Sequence, residues 1–167
     1  MIYQSQSDDA DNDNGNFTSS DSKMEILSSS FVYSTTPMFF VTKTEATIKL
    51  SNVTFTYGSG IFLYIEGTDQ WGKSGSNGGD VTMSITGQNI VGDIVIDDYS
   101  SLTLILSSSS SFKGIVNSVK SSGTINIIID SSSKISLTGD CYISNLDNAE
   151  SSGSNINIGS FFFNILI

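Results

Sequence analysis

Asp93, Asp97 and Asp98, set closely around the short apolar run Ile94-Val95-Ile96, are the side chains of this sequence best placed for acid–base work. Two carboxylates held roughly 5 to 9.5 Å apart are enough to hydrolyse a glycosidic bond, one as the acid and the other as nucleophile or base. Asp130 and Asp140 extend the set on later segments. The chain contains no Arg and no His to accompany them. Asp97-Asp98-Tyr99 also has the composition of a turn, in which Asp bonds its own backbone. Catalysis by these acids is therefore the alternative expectation, and noncatalytic binding the leading one.

The binding candidates are Trp71, Asn77, Asp80 and Tyr99. Ring faces pack on the apolar face of a pyranose, while Asn77 and Asp80 offer polar groups to its hydroxyls. Tyr57 and Tyr64 are further candidates for an aromatic platform. For metal, Asp9, Asp11 and Asp13 repeat the spacing of a calcium loop, but Asn14 stands where Gly is required and Ser20 where a bidentate Glu is required. The match is partial, and calcium is the one cofactor left open. Asn16-Phe17-Thr18 and Asn52-Val53-Thr54 satisfy the glycosylation sequon.

Composition removes several classes of function. Seventeen acids against seven Lys give a formal charge of −10 and a pI near 4.1. Nucleic acids and anionic membrane surfaces require a clustered cationic patch, which this chain lacks. No run of apolar residues is long enough for a membrane helix. The single cysteine, Cys141, excludes an internal disulfide and is expected to be a small buried hydrophobe. Lys113, Lys120 and Lys134 are expected to be solvated or to guard strand edges.

The elements that must position these residues are legible in a repeat. Val81, Met83 and Ile85 alternate with polar residues, as do Leu102, Leu104 and Leu106, then Ile125, Ile127 and Ile129, at steps of 21 and 23 residues. A second register, starting at Ile90, Phe112 and Ile135, repeats in parallel at steps of 22 and 23. Two registers moving together predict stacked coils. Strand formers dominate, helix formers are scarce, and Gly, Ser and Asn punctuate the runs. The expected fold is all-β, a right-handed parallel β-helix of about 21–23 residues per coil and three short strands per turn, with residues 1–167 forming one segment.

An earlier coil runs through Ile48, Leu50, Val53, Phe55, Ile61, Leu63 and Ile65. Its step to Val81, taken from Ile48, is 33 residues, which predicts a loop insertion at 66–80 that carries Trp71 and five glycines. A step of 31 from Ile125 to Ile156 predicts a second insertion at 145–155. The serines at 107–111 and 131–133 follow equivalent strands and are expected to stack at one corner. Thr82 and Thr103 share a register, which Asn126 interrupts, so a long threonine face of the ice-binding kind is not expected. The tail from Phe161 reads as a last strand over the open end.

The stretches Trp71 to Val81, Gly92 to Asp97 and Leu137 to Ile143 resemble the C-terminal coils of large secreted microbial β-helix proteins of the pectin-lyase-like superfamily, often described as adhesin-like. The resemblance covers about residues 1 to 160, and the tail from Phe161 departs from the family's polar closing segment. It implies an extracellular or cell-surface location and a polysaccharide or surface-glycan partner, and it brings no catalytic residues to carry over. Met1-Ile2-Tyr3 reads as a strand end in mid-coil, and no apolar export signal follows it. The chain is therefore expected to be a segment of a longer solenoid.

Overall fold

The computed structural model describes residues 2–5, 22–27, 30–33, 35–70 and 72–166. Among them all regular structure is strand, and every strand pairing is parallel. Parallel neighbours cannot be joined by a tight hairpin, so the chain must travel round before it pairs with itself. It returns after about 23 residues and makes a β-solenoid of about 5 turns. Among the described residues, no helix is long and apolar enough to cross a membrane.

The chain opens with β1 (Ile2–Ser5). The next coil carries β2 (Ser22–Leu27), β3 (Ser30–Tyr33) and β4 (Phe39–Thr42), and the one after it β5 (Glu45–Ser51), β6 (Thr54–Tyr57) and β7 (Ile61–Ile65). Then come β8 (Asp80–Thr86), β9 (Asn89–Val91) and β10 (Asp93–Ile96). The following coil has β11 (Ser101–Ser107) and β12 (Ser111–Gly114), and its third side is a single bridge at Val116. Two more coils complete the described stack, with β13 (Thr124–Ile129), β14 (Lys134–Leu137) and β15 (Cys141–Ile143), then β16 (Asn145–Asn148), β17 (Ile156–Asn157) and β18 (Phe163–Ile165).

Three faces result. The first sheet stacks β2-β5-β8-β11-β13-β16, and the second stacks β9-β12-β14-β17, with β3 and β6 paired before it. The third stacks β1-β4-β7-β10, continues through the bridge from Ile94 to Val116, and ends with β15 paired to β18. The registers follow the repeat residue for residue: Met83 lies opposite Leu104 and Leu104 opposite Ile127, while Phe112 lies between Ile90 and Ile135. Because side chains alternate along a strand, this register sends every member of the apolar triplets inward. All are buried, and each such side chain contributes roughly 1.5–3 kcal/mol on leaving water. The earlier coils fill the interior with Phe39, Phe55 and Phe62, whose rings meet edge to face at 5.4–5.8 Å.

Two expectations are corrected by the pairing. Val81 lies opposite Ala46, and Ile48 opposite Met83, so that step is 35 residues (83 − 48) instead of 33. The inward run of β5 begins one small residue earlier than its large side chains announce. Residues 145–155 are not an insertion: β16 places Leu146 opposite Ile127, and β17 places Ile156 opposite Ile135, at ordinary steps of 19 and 21. With Leu146 as the one apolar residue of Asn145–Asn148, period-two alternation cannot show there. The threonine register gains Thr47, which lies opposite Thr82, and still ends at Asn126.

Corners between the first and second sheets are tight. Asn52, Gly87, Ser108 and Ser109 turn there in the left-handed region, at φ of 55°, 64°, 58° and 62°. A buried polar ladder runs up this corner. Gln88 Oε1 accepts the Val53 amide at 3.0 Å, Ser110 Oγ the Gln88 amide at 3.3 Å, and Ser133 Oγ the Ser110 amide at 3.1 Å. Asn155 closes it by donating to the Ser133 carbonyl at 3.1 Å. The stacked serines of the sequence are thus part of the core's polar seam. Among the described residues, corners between the third and first sheets vary far more in length, and a long one, residues 66–79, joins β7 to β8.

Candidate functional site

The long corner opens onto a groove of about 400 Å³. One wall grows from the ends of β7 and β10. Ile65 lies opposite Ile96, and Asp97 donates its amide to the Ile65 carbonyl at 3.1 Å, so the next rung brings Glu66 beside Asp97. Tyr64, on the outer face of β7, stacks on Phe40 with ring centroids 5.7 Å apart and planes 10° from parallel. Its phenol interacts with the neighbouring Glu66 carboxylate. Burial pushes the Glu66 carboxyl up, and the charge of Asp97 adds to the rise. Burial and then the charge of Glu66 push the Tyr64 phenol up as well.

Asp97 is a staple. Its carboxylate accepts the Gly67 amide at 2.7 Å, the Tyr99 amide at 3.1 Å and the Ser100 hydroxyl at 2.5 Å, tying the long corner to the coil after it. Asp98 accepts the Ser122 amide at 2.6 Å and its hydroxyl at 3.0 Å, and those bonds hold its carboxyl below the usual range.

The opposite wall is the corner 117–121. Asn117 is fully buried and brackets it: the amide group donates to the Ser121 carbonyl at 3.0 Å, and Oδ1 accepts the Ser121 amide at 2.8 Å and hydroxyl at 3.0 Å. Asn117 and Lys120 both sit in the left-handed region, at φ of 56° and 58°. Such positions cost a non-glycine residue of order 1 kcal/mol or more and persist where surrounding bonds dictate them. The braced corner presents Val119, 70 % exposed, beside the groove. Lys120 holds its ammonium 5.6 Å from the centre of the Tyr142 ring. Lys120 and Ser121 also line a second depression of about 350 Å³ that continues to Ser144 and Leu166.

The residues singled out in the sequence fall in different places. Asn77 is 3 % exposed; its side-chain amide donates to the Thr68 carbonyl at 2.5 Å and its own carbonyl accepts the Lys43 amide at 3.0 Å, so it holds the long corner from inside. Asp80 begins β8, is exposed on the first sheet, and accepts the Ser101 hydroxyl at 2.6 Å. Tyr99 is 59 % exposed with its ring beside Gly75. Tyr57 lies on β6, away from Tyr64 on β7; it donates to the Val91 carbonyl, and burial, with Asp93 second, raises its phenol to about 12. These tyrosines do not share a platform. Trp71, Asp9, Asp11 and Asp13 lie outside the described residues.

Of the acid candidates, Asp93 accepts the Ile115 amide at 2.9 Å and Asp140 the Phe162 amide at 3.0 Å, each linking one coil to another. Asp97 and Asp98 do the same beside the groove, while Asp130 braces the serine corner. Cys141 is buried, its Sγ accepts the Val116 amide at 3.2 Å, and burial raises the thiol to about 11. Among the described residues, no group of three or more His, Cys, Asp or Glu side chains is gathered to hold a metal. Glu66, Val119 and the groove-lining place of Lys120 are missed by the sequence reading. A signal for Glu66 does exist: Tyr64-Ile65-Glu66 and Val95-Ile96-Asp97 end their strands in the same pattern.

Comparison with known proteins finds no matching family model, no matching curated protein and no matching solved structure.

Proposed function

We propose that this chain is a noncatalytic, extracellular or cell-surface β-helix module that binds carbohydrate. The observation that carries the reading is the groove between Tyr64 and the braced corner at 117–121. Its volume falls in the range of about 300–1,000 Å³ common to small-ligand sites. A half-buried ring, an exposed Val and several hydrogen-bonding groups make the mixed lining that a sugar ring, apolar on its faces and polar at its edge, would meet. The location rests on the likeness to secreted pectin-lyase-like, adhesin-like solenoids drawn from the sequence. Binding on a polysaccharide array, lost in Tyr64→Ala and in Val119→Asp with the β-sheet circular dichroism retained, is the expected result. No binding to any glycan, or binding that both variants leave intact, sinks the proposal.

A second reading, glycoside hydrolysis, draws on the raised carboxyl of Glu66 and the lowered one of Asp98 in the same groove, since acids whose environments push their pKa values apart suit acid and base roles. It requires release of reducing ends that Glu66→Gln abolishes. Intact polymer after prolonged incubation removes it.

A further inference from the structure

We propose that the groove selects glycans bearing charged amino groups, and that polyuronates are excluded from it. This rests on the carbohydrate reading above and names the ligand class. The argument is charge complementarity within a defined cavity. Of the titratable side chains that line the groove, Glu66, Asp97 and Asp98 are carboxyls, Tyr64 is a phenol beside Glu66, and Lys120 is the single cation. Lys120 is committed to the far end, over the ring of Tyr142. Glu66 stands on the long corner and Asp97 and Asp98 on the next one, where Asp98 is bonded to Ser122 of the corner that carries Lys120.

Glu66 is partly withdrawn from water and faces the like charge of Asp97, the situation that an incoming ammonium group relieves and an incoming carboxylate aggravates. Asp97 already accepts from three donors, so it contributes field more than direct contact. Asp98 is exposed at the lip and remains ionised. The ligand therefore meets Glu66 and Asp98 as partners for its amines, and Tyr64 and Val119 as surfaces for its rings. A chain carrying a net charge of −10 adds a long-range field of the same sign.

The test is isothermal titration of the whole chain at about pH 6, where an amine of α-amino type is charged, with four tetrasaccharide and peptide probes. These are a glucosamine tetramer, its N-acetylated counterpart, a galacturonate tetramer and a tetralysine peptide. The glucosamine tetramer is expected to bind at least tenfold more tightly than the N-acetylated one, to weaken as salt is raised, and to lose that advantage in both Glu66→Gln and Asp98→Asn. Asp98→Asn keeps an acceptor for the Ser122 bonds, and Glu66→Gln keeps the size of the side chain while removing its charge. Galacturonate is expected not to bind. Equal affinity for the charged and acetylated sugars, unchanged by either variant, overturns the charge selection while leaving carbohydrate binding standing. Tetralysine binding as tightly as the aminosugar overturns the sugar assignment. No binding by any sugar fells this inference together with the reading it rests on.

Discussion

The corner between the first and second sheets and the corner between the third and first are made from the same residue types, Ser, Asn, Asp and Gly, with opposite results. At the first, the polar groups turn inward and repeat from coil to coil: Gln88, Ser110, Ser133 and Asn155 are buried and bonded to one another's backbone. At the second, the side-chain bonds differ from one coil to the next. Residues 66–79, 97–100 and 117–123 differ in length, and their polar groups fix three differently shaped corners around a groove. Composition does not decide which corner becomes a seam and which a site. Repetition does: at the seam the buried polar groups find their partners on the neighbouring coil, whereas Asn77 and Asn117 are buried against groups of their own corners.

The largest effect expected from this difference lies at the seam. Ser110→Val leaves the Gln88 amide without its acceptor in a closed interior and adds a methyl group where packing is tight. Stranding one buried amide costs about 1–3 kcal/mol. The unfolding free energy should fall by that amount, lowering the urea midpoint with the slope unchanged, and the loss should be global. A variant as stable as the parent would mean that the ladder is incidental to the stack.

A smaller and local effect is expected at the groove. Asn117→Gly keeps the left-handed backbone available while removing all three bonds to Ser121. Amides from 118 to 121 should exchange faster, the β11 and β13 amides should stay protected, and the unfolding free energy should fall by about 1 kcal/mol or less. Glycan binding should weaken because Val119 and Lys120 lose their fixed placement. A global loss as large as that of Ser110→Val would erase the distinction between the two corners.

The same contrast explains what the sequence reveals. The interior is legible because it repeats: Leu102, Leu104 and Leu106 announce the strand, and identical offsets at Val81 and Ile125 announce the stack. Solenoid contacts lie between neighbouring coils, so period translates directly into contact. The groove is not legible in this way. Glu66 stands beside Asp97 because Ile65 stands opposite Ile96, a relation that emerges only once the offset across the long corner is known. Asn77 looks like a ligand group because Asn in a glycine-rich segment is polar. Its burial follows from the Thr68 carbonyl, which only the folded corner brings to it. Asp93, Asp97 and Asp98 look like an acid cluster and act as coil-to-coil staples, since the solenoid needs acceptors for the amides that its corners leave unpaired.

The smallest effect separates the corners by the sign of a titration. Asp130 belongs to the serine seam, where the Ser133 hydroxyl first, then the Ser108 amide and the Ser132 hydroxyl, hold its carboxyl down at about 2. A depressed carboxyl contributes stability that is present above its ordinary value of 3.8 and disappears as the pH falls toward 2. Glu66 at the groove is raised by burial above its ordinary 4.5, so the folded state binds its proton more tightly than the unfolded chain does. Its contribution runs the other way: stability declines as the pH climbs from 4.5 through the raised value, then levels off. Thermal midpoints followed from pH 2 to 7 should therefore show a shallower acid limb in Asp130→Asn, and in Glu66→Gln a gain at neutral pH that vanishes near pH 4. Both carboxyls are largely open to solvent, so salt should shrink both differences. If Glu66→Gln instead lowers the midpoint at neutral pH, its carboxylate is a partner that the fold uses, and the groove joins the seam as part of the scaffold.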